Sequence, residues 1–435
     1  MQKIKQRIQA LFKGSFIRSV SVLVGGTAFA QLIALLALPI LTRLYSPDDF
    51  GVLAVYSSFL ALISVIACLR FEIAIPMPKE DKDAAALLFL SLASVVVITL
   101  LTTIGVLLFS SQIEHATEGK LVGYLWLIPI GVFFSGLYAA LQYWATRHKA
   151  FPLVAKTRMT QAVSGSSAQL GFGFFGFFGF FGFAPFGLLI GQLLSVGAGV
   201  FGLSKYLIKT QRSIFKEISL KRVKLVFKQY DRFPKYSTWE AFSNSGAIQI
   251  PVILIAYYAV SAEAGFLMLA MRLLSAPMSL IGGAVAQVYL AEASEKYHEG
   301  VLKKFTHKTI LSLFKVGLPA LLFAGVAAPF LIPLIFGDEW QRTGILISWM
   351  TPWFLMQFIT SPVSMALHIT HSQKIAMVLQ FFGLIIRVGS VLIAGFYFNE
   401  YIAEVYAVTG FVFYSLYLFV VLFVLNKNQL GPYKA

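Results

Sequence analysis

The chain has 435 residues, of which 58% are apolar and 12% charged, whereas about half of a soluble domain is apolar and about a quarter is charged. This composition excludes a soluble enzyme, because 41 phenylalanines among so few charges leave more apolar surface than a water-soluble fold can bury. The single cysteine, Cys68, excludes an internal disulfide and a CxxC metal or redox motif. A net charge of +16 is large enough for a nucleic-acid ligand. The distribution of the basic residues along the chain decides whether the charge indicates such a ligand.

Apolar runs predict an all-α integral membrane protein with about twelve transmembrane helices. A helix of roughly 20 apolar residues crosses a bilayer about 30 Å thick. The run at 159–204 is long enough for two crossings, and Ala184-Pro185-Phe186-Gly187 supplies the turn between them. The other predicted spans, in chain order, are 19–42, 50–69, 84–113, 121–146, 241–262, 265–291, 309–336, 344–367, 375–396 and 403–425.

The positive charges sort by the side of the membrane. If the N-terminus is cytoplasmic, the cytoplasmic segments hold 28 of the 35 lysines and arginines, the opposite side holds three, and four lie inside spans. Short loops rich in Lys and Arg are retained in the cytoplasm. The sequence therefore predicts that both termini are cytoplasmic, and the positive charge indicates orientation rather than a surface for nucleic acid.

One long polar interval, which starts at Lys205 and ends at Lys235, separates two groups of six spans. It predicts an N-terminal lobe at 1–210, a basic cytoplasmic linker at 211–235 and a C-terminal lobe at 236–435. Because each half has an even number of spans, the two halves fit a pair of parallel repeats, which is a common transporter plan.

The N-terminus is basic and precedes an apolar run, as a signal peptide would be. The run continues beyond the apparent cleavage site, so we expect an uncleaved first span. A short amphipathic helix precedes it and places Ile4, Ile8 and Leu11 against the membrane.

Six ionisable side chains lie inside or at the ends of predicted spans, where a charge costs roughly 3 kcal/mol on insertion scales. Arg387 lies about 18 Å from the start of its predicted span and Arg272 about 10 Å from the nearest end of its own, too deep to reach water easily. We therefore predict that both line a polar path. The others lie nearer the cytoplasmic ends, where a snorkelling side chain or a local ion pair is an equal alternative: Arg70, Glu72, Lys315 and Glu240.

Polar and small residues recur at helical spacing on three spans of the second half. This pattern is typical of helix packing in membranes as well as of a wet groove. Because cations and a tryptophan are among these residues, we favour a groove suited to a sugar or phosphate ligand. The stripes are Arg272, Ser275, Ser279, Gly283 and Gln287 on span eight, Trp353, Gln357, Ser361, Ser364 and His368 on span ten, and Glu240, Asn244 and Pro251 on span seven.

No catalytic constellation or cofactor motif emerges. The chain has no GxxxxGK[ST] sequence, so it is not expected to hydrolyse nucleotide. His368 and His371 are three residues apart, but without a nearby carboxylate or cysteine they do not predict a metal site. We expect no enzyme activity, no metal and no cofactor.

Several short motifs resemble those of the bacterial polysaccharide flippases, which belong to the multidrug, oligosaccharidyl-lipid and polysaccharide exporter superfamily. The similarity extends over nearly the whole chain in length, span count and two-half layout. The motifs that carry it are Gly25-Gly26-Thr27, Pro39, Thr42, Arg43, Tyr45-Ser46-Pro47-Asp48-Asp49-Phe50-Gly51 and Phe336-Gly337-Asp338-Glu339-Trp340.

This resemblance implies a MATE-like, V-shaped pair of six-helix lobes in the bacterial inner membrane. It implies that the substrate is an undecaprenyl-pyrophosphate-linked oligosaccharide, moved from the cytoplasmic to the periplasmic leaflet, with polysaccharide polymerase or export machinery as partners. A cationic lumen is usual in the family. Arg272 and Arg387 suit that role, and Arg18 is a third candidate by analogy.

The remaining charged and polar candidates complete the expected path. Arg70, Lys315, Gln287, Trp353 and Gln357 are predicted to contribute to substrate binding. With no nucleotide site, an ion gradient or the membrane potential must drive transport, and we expect Glu72 or Glu240 to carry a coupling proton.

Two other functions stay open. A drug or metabolite-cation antiporter of the same superfamily would need an acidic site in the first lobe, where the spans offer only Glu72, beside Arg70. A membrane-embedded glycosyltransferase or polymerase would favour a large outer loop, whereas the longest predicted outer connection has about ten residues.

Overall fold

A computed structural model describes residues 15–177, 184–215, 219–259, 262–370 and 372–427. The described residues form sixteen α-helices, three short 3-10 or π helices and no strand. They separate into two compact units, one of residues 1–44 and 59–242 and the other of residues 45–58 and 243–435. The predicted amphipathic helix with Ile4, Ile8 and Leu11 lies outside the described residues.

The first unit contains most of the N-terminal helices. The helix α2 (Pro47–Ser64) is shared, because its first turns belong to the second unit. The others are α1 (Ser15–Leu44), α3 (Phe71–Ala74), α4 (Asp81–Leu108), α5 (Ser110–Ala116), α6 (Leu127–Arg147), α7 (Phe151–Phe177), α8 (Ala184–Phe215), α9 (Leu220–Gln229) and a π helix at Phe233–Ser237.

The second unit contains the remaining long helices and two short 3-10 helices, Asp338–Trp340 and Asn399–Tyr401. The helix α10 begins in the first unit and continues into the second. The α-helices are α10 (Thr238–Tyr258), α11 (Glu263–His298), α12 (Leu302–Phe336), α13 (Gln341–Val363), α14 (Ala366–Ile369), α15 (Gln373–Tyr397) and α16 (Ile402–Lys427).

A long helix overlaps each of the twelve predicted spans, although several helices are shorter than the span predicted. By length and apolar composition, eight of the described helices are candidate membrane spans: α1, α4, α6, α8, α11, α12, α15 and α16. The other four are α2, α7, α10 and α13. Of these, α7 packs against α1 and α8, and α13 packs against α11, α12 and α16.

The glycine motif in α1 permits a close contact within the first unit. A Cβ atom at Gly26 would lie 2.7 Å from the Cβ of Ala155 on α7, so a larger residue would push the two helices apart. One residue further, the Thr27 hydroxyl accepts a hydrogen bond of 2.6 Å from Nη1 of Arg158. The motif therefore holds α1 against α7 in two ways: Gly26 permits the close approach, and the adjacent Thr27 forms a hydrogen bond.

Two motifs that lie far apart in the sequence meet in the second unit. The ring centroids of Phe50 and Trp340 lie 4.9 Å apart in an edge-to-face arrangement, and Phe266 lies 6.0 Å from the same indole. Phe50 and Trp340 are fully buried. These three rings hold the first turn of α2 against α11 and the short helix before α13.

Gly265 lets α11 approach α2 at the same place. A Cβ atom there would overlap the carbonyl oxygen of Pro47 and lie 2.9 Å from the amide nitrogen of Gly51, and backbone atoms cannot rotate away as a side chain can. We expect Gly265→Ala to lower the stability by at least about 1–3 kcal/mol, the usual effect of overpacking.

Gly283→Ala on the same helix is the matched control, because no described atom lies within 4 Å of the Cβ position there. Alanine has the higher helix propensity, by up to about 1 kcal/mol, so this variant should unfold at the wild-type temperature or above it. The measurement is thermal unfolding of the purified protein in detergent. Equal melting temperatures for the two variants would contradict the close contact at Gly265.

Candidate functional site

Arg387 on α15 lies between two aromatic rings of neighbouring helices. Its Cζ is 4.4 Å from the ring centroid of Trp353 on α13 and 4.7 Å from that of Tyr406 on α16. The side chains are fully buried, with Arg387 1% exposed. The Tyr406 hydroxyl donates a hydrogen bond of 3.1 Å to the carbonyl oxygen of Ile248. The structure thus brings two predicted site residues, Trp353 and Arg387, into contact.

The hydrogen-bonding capacity of this guanidinium is incompletely used. Nε and Nη2 of Arg387 are buried and have no hydrogen-bond partner among the described residues. Nε1 of Trp353 is likewise buried and lacks a partner among them. A desolvated cation–π contact contributes about 2 kcal/mol, whereas the effective penalty for a buried charge is several kcal/mol. Burying the charge of Arg387 therefore lowers the stability by more than a cation–π contact restores. This is typical of ionisable groups that serve a function inside a membrane.

Arg272 on α11 has a different environment. Its side chain is partly exposed, and no carboxylate of the described residues pairs with it. The next members of its stripe, Ser275, Ser279 and Gly283, are also exposed. The hydroxyls of the two serines donate to carbonyl oxygens of their own helix, 3.3 Å to Arg272 and 2.9 Å to Ala276. The stripe is therefore a polar surface with an unpaired cation at one end.

An apolar cavity of about 140 Å³ lies beside this stripe, between α11, α12 and α13. Pro277 and Ile281 of α11, Gly317 of α12 and Phe358 of α13 are among its lining residues. Gly317 is packed against the ring of Phe358, since a Cβ there would lie 2.6 Å from Cδ1. The second unit thus carries polar and apolar surfaces on neighbouring parts of α11.

The polar stripe on α13 divides between core and surface. Trp353 is buried, Gln357 is half-buried and Ser361 is exposed. The Ser364 hydroxyl donates 2.8 Å to the carbonyl oxygen of Ser361. The stripe therefore reaches the surface of its unit only from Gln357 onward.

Arg70 and Glu72 lie at a break in the second predicted span. The helix α2 ends at Ser64, turns follow, and α3 begins at Phe71; Leu69 and Arg70 have φ angles of 49° and 63°, which strains a side-chain-bearing residue. Nη1 of Arg70 lies 3.6 Å from Oε1 of Glu72. Glu72 is 5% exposed, and its Oε2 has no hydrogen-bond partner among the residues that the structure describes. A buried carboxylate with one distant cation is suited to gaining and losing a proton.

The remaining predicted residues are not brought together. Lys315 is exposed on α12, and Glu240 is half-buried in the first turn of α10; neither has an ion-pair partner among the described residues. The side chains of Arg18, Gln287 and His368 lie outside the described part of the structure, and His371 lies outside it altogether.

A charged cluster in the second unit was missed by the sequence reasoning. Nη2 of Arg342, in the first turn of α13, lies 2.7 Å from Oε1 of Glu263 and 2.6 Å from Oε1 of Glu404. Both glutamates are 7% exposed and lie in the first turns of α11 and α16. Arg342 is one of the three basic residues that the sequence places opposite the cytoplasm. The signal that could have revealed the cluster is that all three charged residues lie in the first turn of a helix.

Several solved structures of transporters share this fold. The chain matches the lipid II flippase MurJ in an inward closed conformation at 14% identity and a TM-score of 0.72, covering 94% of this chain and 90% of that one. It matches an inward-facing multidrug resistance MATE family transporter at 15% identity and a TM-score of 0.64, covering 95% and 96%. A transporter from Pyrococcus furiosus matches at 16% identity and a TM-score of 0.56, covering 96% and 98%.

These matches confirm the predicted fold class. The chain is an all-α, multi-pass membrane protein with the fold of the MOP superfamily of transporters. Residues 40–344 match the model of the polysaccharide biosynthesis protein family, and the chain belongs to that family. No curated protein sequence matches it.

Proposed function

We propose that this protein is a flippase, which moves undecaprenyl-pyrophosphate-linked oligosaccharide repeat units from the cytoplasmic to the periplasmic leaflet of the bacterial inner membrane. Membership of the polysaccharide biosynthesis family supports a substrate that belongs to polysaccharide synthesis, and the transporter fold supports its translocation across the membrane. The observation that carries the proposal is Arg272, a partly exposed cation without a carboxylate partner among the described residues, at the end of a polar stripe.

A pyrophosphate headgroup needs such a surface. Moving an ionised group into hydrocarbon without partners is prohibitive, whereas an arginine replaces water with short, charge-assisted hydrogen bonds. Arg272 contacts the headgroup in this proposal, and Gln357 and the Ser275 and Ser279 hydroxyls provide further polar contacts. Lys315, Arg70, Gln287 and Arg18 contribute positive or polar character elsewhere along the path, and Trp353 supports Arg387 by stacking.

Transport proceeds by alternating access, with both termini in the cytoplasm as the distribution of Lys and Arg predicts. An ion gradient or the membrane potential supplies the energy. Glu72 is the preferred coupling residue because it is buried, lies two residues after the strained backbone of Arg70, and has its Oε1 3.6 Å from Nη1 of that arginine. Glu240 is second, since it is half-buried and has no ion-pair partner among the described residues.

A MATE-type drug or metabolite-cation antiporter is the second candidate. It is favoured by the MATE structures among the matches and by the same Glu72, which supplies the buried acid of the first unit that a cationic substrate requires. Against it stands Arg70, a cation whose Nη1 lies 3.6 Å from this carboxylate. Glu72 is also the one buried acid among the described residues of the first unit.

Deletion of the gene distinguishes the two candidates. For the flippase, surface polysaccharide is lost and lipid-linked repeat units accumulate in the cytoplasmic leaflet. Wild-type protein restores display, while Arg272→Gln, at equal membrane abundance, does not. The control Arg43→Gln, an exposed arginine at the end of α1, restores it fully. Normal display together with increased drug sensitivity in the deletion strain would favour the antiporter.

A further inference from the structure

The basic segment between the two groups of spans contains an anchored helix, α9. Nε of its Arg222 lies 2.6 Å from Oδ1 of Asp83, and Nη2 lies 2.5 Å from Oε2 of Glu80. The hydrogen bond to Asp83 raises the pKa of Arg222 above its usual value, so the guanidinium is charged. Val226 is fully buried on the same edge, and the ring of Phe227 lies 5.7 Å from that of Phe71.

This anchoring fixes which edge of α9 is free. With about 100° between successive residues, Lys221, Lys224 and Lys228 fall within an arc of about 60° that points away from Arg222 and Val226. All three lysines are exposed, and none forms an ion pair with a described residue. The free edge is therefore a compact positive stripe.

Two leucines border the lysine stripe, one on each side. Leu220 is 80% exposed and Leu225 is 62% exposed, and each lies about 40° from the nearest lysine around the helix. Exposed leucines beside lysines are unfavourable in water but fit the boundary between lipid headgroups and acyl chains, where the lysine stems extend back to the phosphates.

We propose that α9 binds the surface of a bilayer that contains anionic phospholipids, through Lys221, Lys224 and Lys228 with Leu220 and Leu225 inserted beside them. Positive charge and flanking apolar side chains match an anionic, partly apolar surface. A lysine near such a surface strengthens binding several-fold, so three together should favour it on the order of 100-fold over a neutral surface. Arg222 is the positioning residue that turns the stripe outward, and the inference is independent of what the protein transports.

The test follows the environment of Leu225 in the full-length protein in nanodiscs. An environment-sensitive fluorophore is attached at Leu225→Cys in a Cys68→Ser background. In nanodiscs that contain phosphatidylglycerol its emission should shift to the blue relative to phosphatidylcholine alone, and high salt should reduce the shift. K221Q/K224Q/K228Q should abolish the shift, and Arg222→Gln should reduce it.

The matched control is K303Q/K304Q/K308Q, which removes three lysines at the start of α12 and should retain the shift. Equal emission in the two lipids, or a shift that survives K221Q/K224Q/K228Q, would overturn the proposal. A shift produced in phosphatidylcholine nanodiscs by soluble poly-glutamate, and not by phosphatidylglycerol, would also overturn it and would indicate an acidic protein partner.

Discussion

Replacing Arg387 with methionine is expected to slow transport strongly and to leave the protein at least as stable as the wild type. The guanidinium lies between two aromatic rings, with two nitrogens lacking hydrogen-bond partners among the described residues. Replacing a buried charge by an apolar side chain of similar volume is often neutral or stabilising by about 1–4 kcal/mol, and a thioether packs well against aromatic rings. A residue kept solely for stability would not be an arginine at this place.

The loss of transport follows from the role that the sequence predicts for Arg387, as a cation that lines the path of the substrate. A hydrogen bond to a charged group contributes about 1.5–3 kcal/mol, so translocation should fall by about ten- to a hundredfold. Arg387→Lys is the informative comparison, because it keeps the charge and loses the planar group that stacks on Trp353 and Tyr406. Thermal unfolding and translocation are measured on the same preparations. A large loss of stability in Arg387→Met, or unchanged transport, would make Arg387 a packing residue only.

Replacing Arg342 with methionine should have the largest effect on stability. It removes the cation that lies within 2.7 Å of both Glu263 and Glu404 and leaves two buried carboxylates with no compensating charge. Removal of one partner from a buried ion pair costs about 3–5 kcal/mol. We therefore expect a strongly lowered melting temperature in detergent.

The charges, rather than the shape of the side chain, account for this loss. R342M/E263Q/E404Q removes the uncompensated carboxylates and should recover most of the stability. Arg43→Met, at an exposed arginine, should change the melting temperature little. A decrease of less than about 1 kcal/mol in Arg342→Met, or no recovery in R342M/E263Q/E404Q, would show that the cluster contributes as little as an exposed salt bridge.

The sequence was sufficient for the helical framework, because a run of about 20 uncharged residues has few alternatives in a membrane protein. It did not reveal the break after Ser64, since the uncharged run continues to Leu69 and the left-handed backbone at Leu69 and Arg70 leaves no mark in composition. It also treated α9 as a plain basic linker, although the positions of Leu220, Val223 and Val226 are compatible with an amphipathic helix.

The candidate site was only partly predictable for a related reason. Spacing along one helix identified Arg387 as deep and Trp353 as a stripe residue, but it does not show which helices face each other. The contact between them requires α13, α15 and α16 to pack together. The cluster at Arg342 was missed because three charges on three separate helices form no pattern in a linear sequence.

The most direct test of the flippase proposal is translocation by the purified protein in proteoliposomes. An undecaprenyl-pyrophosphate-linked oligosaccharide is placed in both leaflets, and a membrane-impermeant glycosidase reports the fraction that reaches the outer leaflet, with and without a proton gradient. We predict that wild-type protein makes the lipid of the inner leaflet accessible to the glycosidase and that the proton gradient accelerates this. Arg272→Gln, reconstituted in equal amount, should leave the inner leaflet inaccessible. Accessibility equal to that of protein-free liposomes, alongside gradient-driven uptake or release of an organic cation, would contradict the proposal.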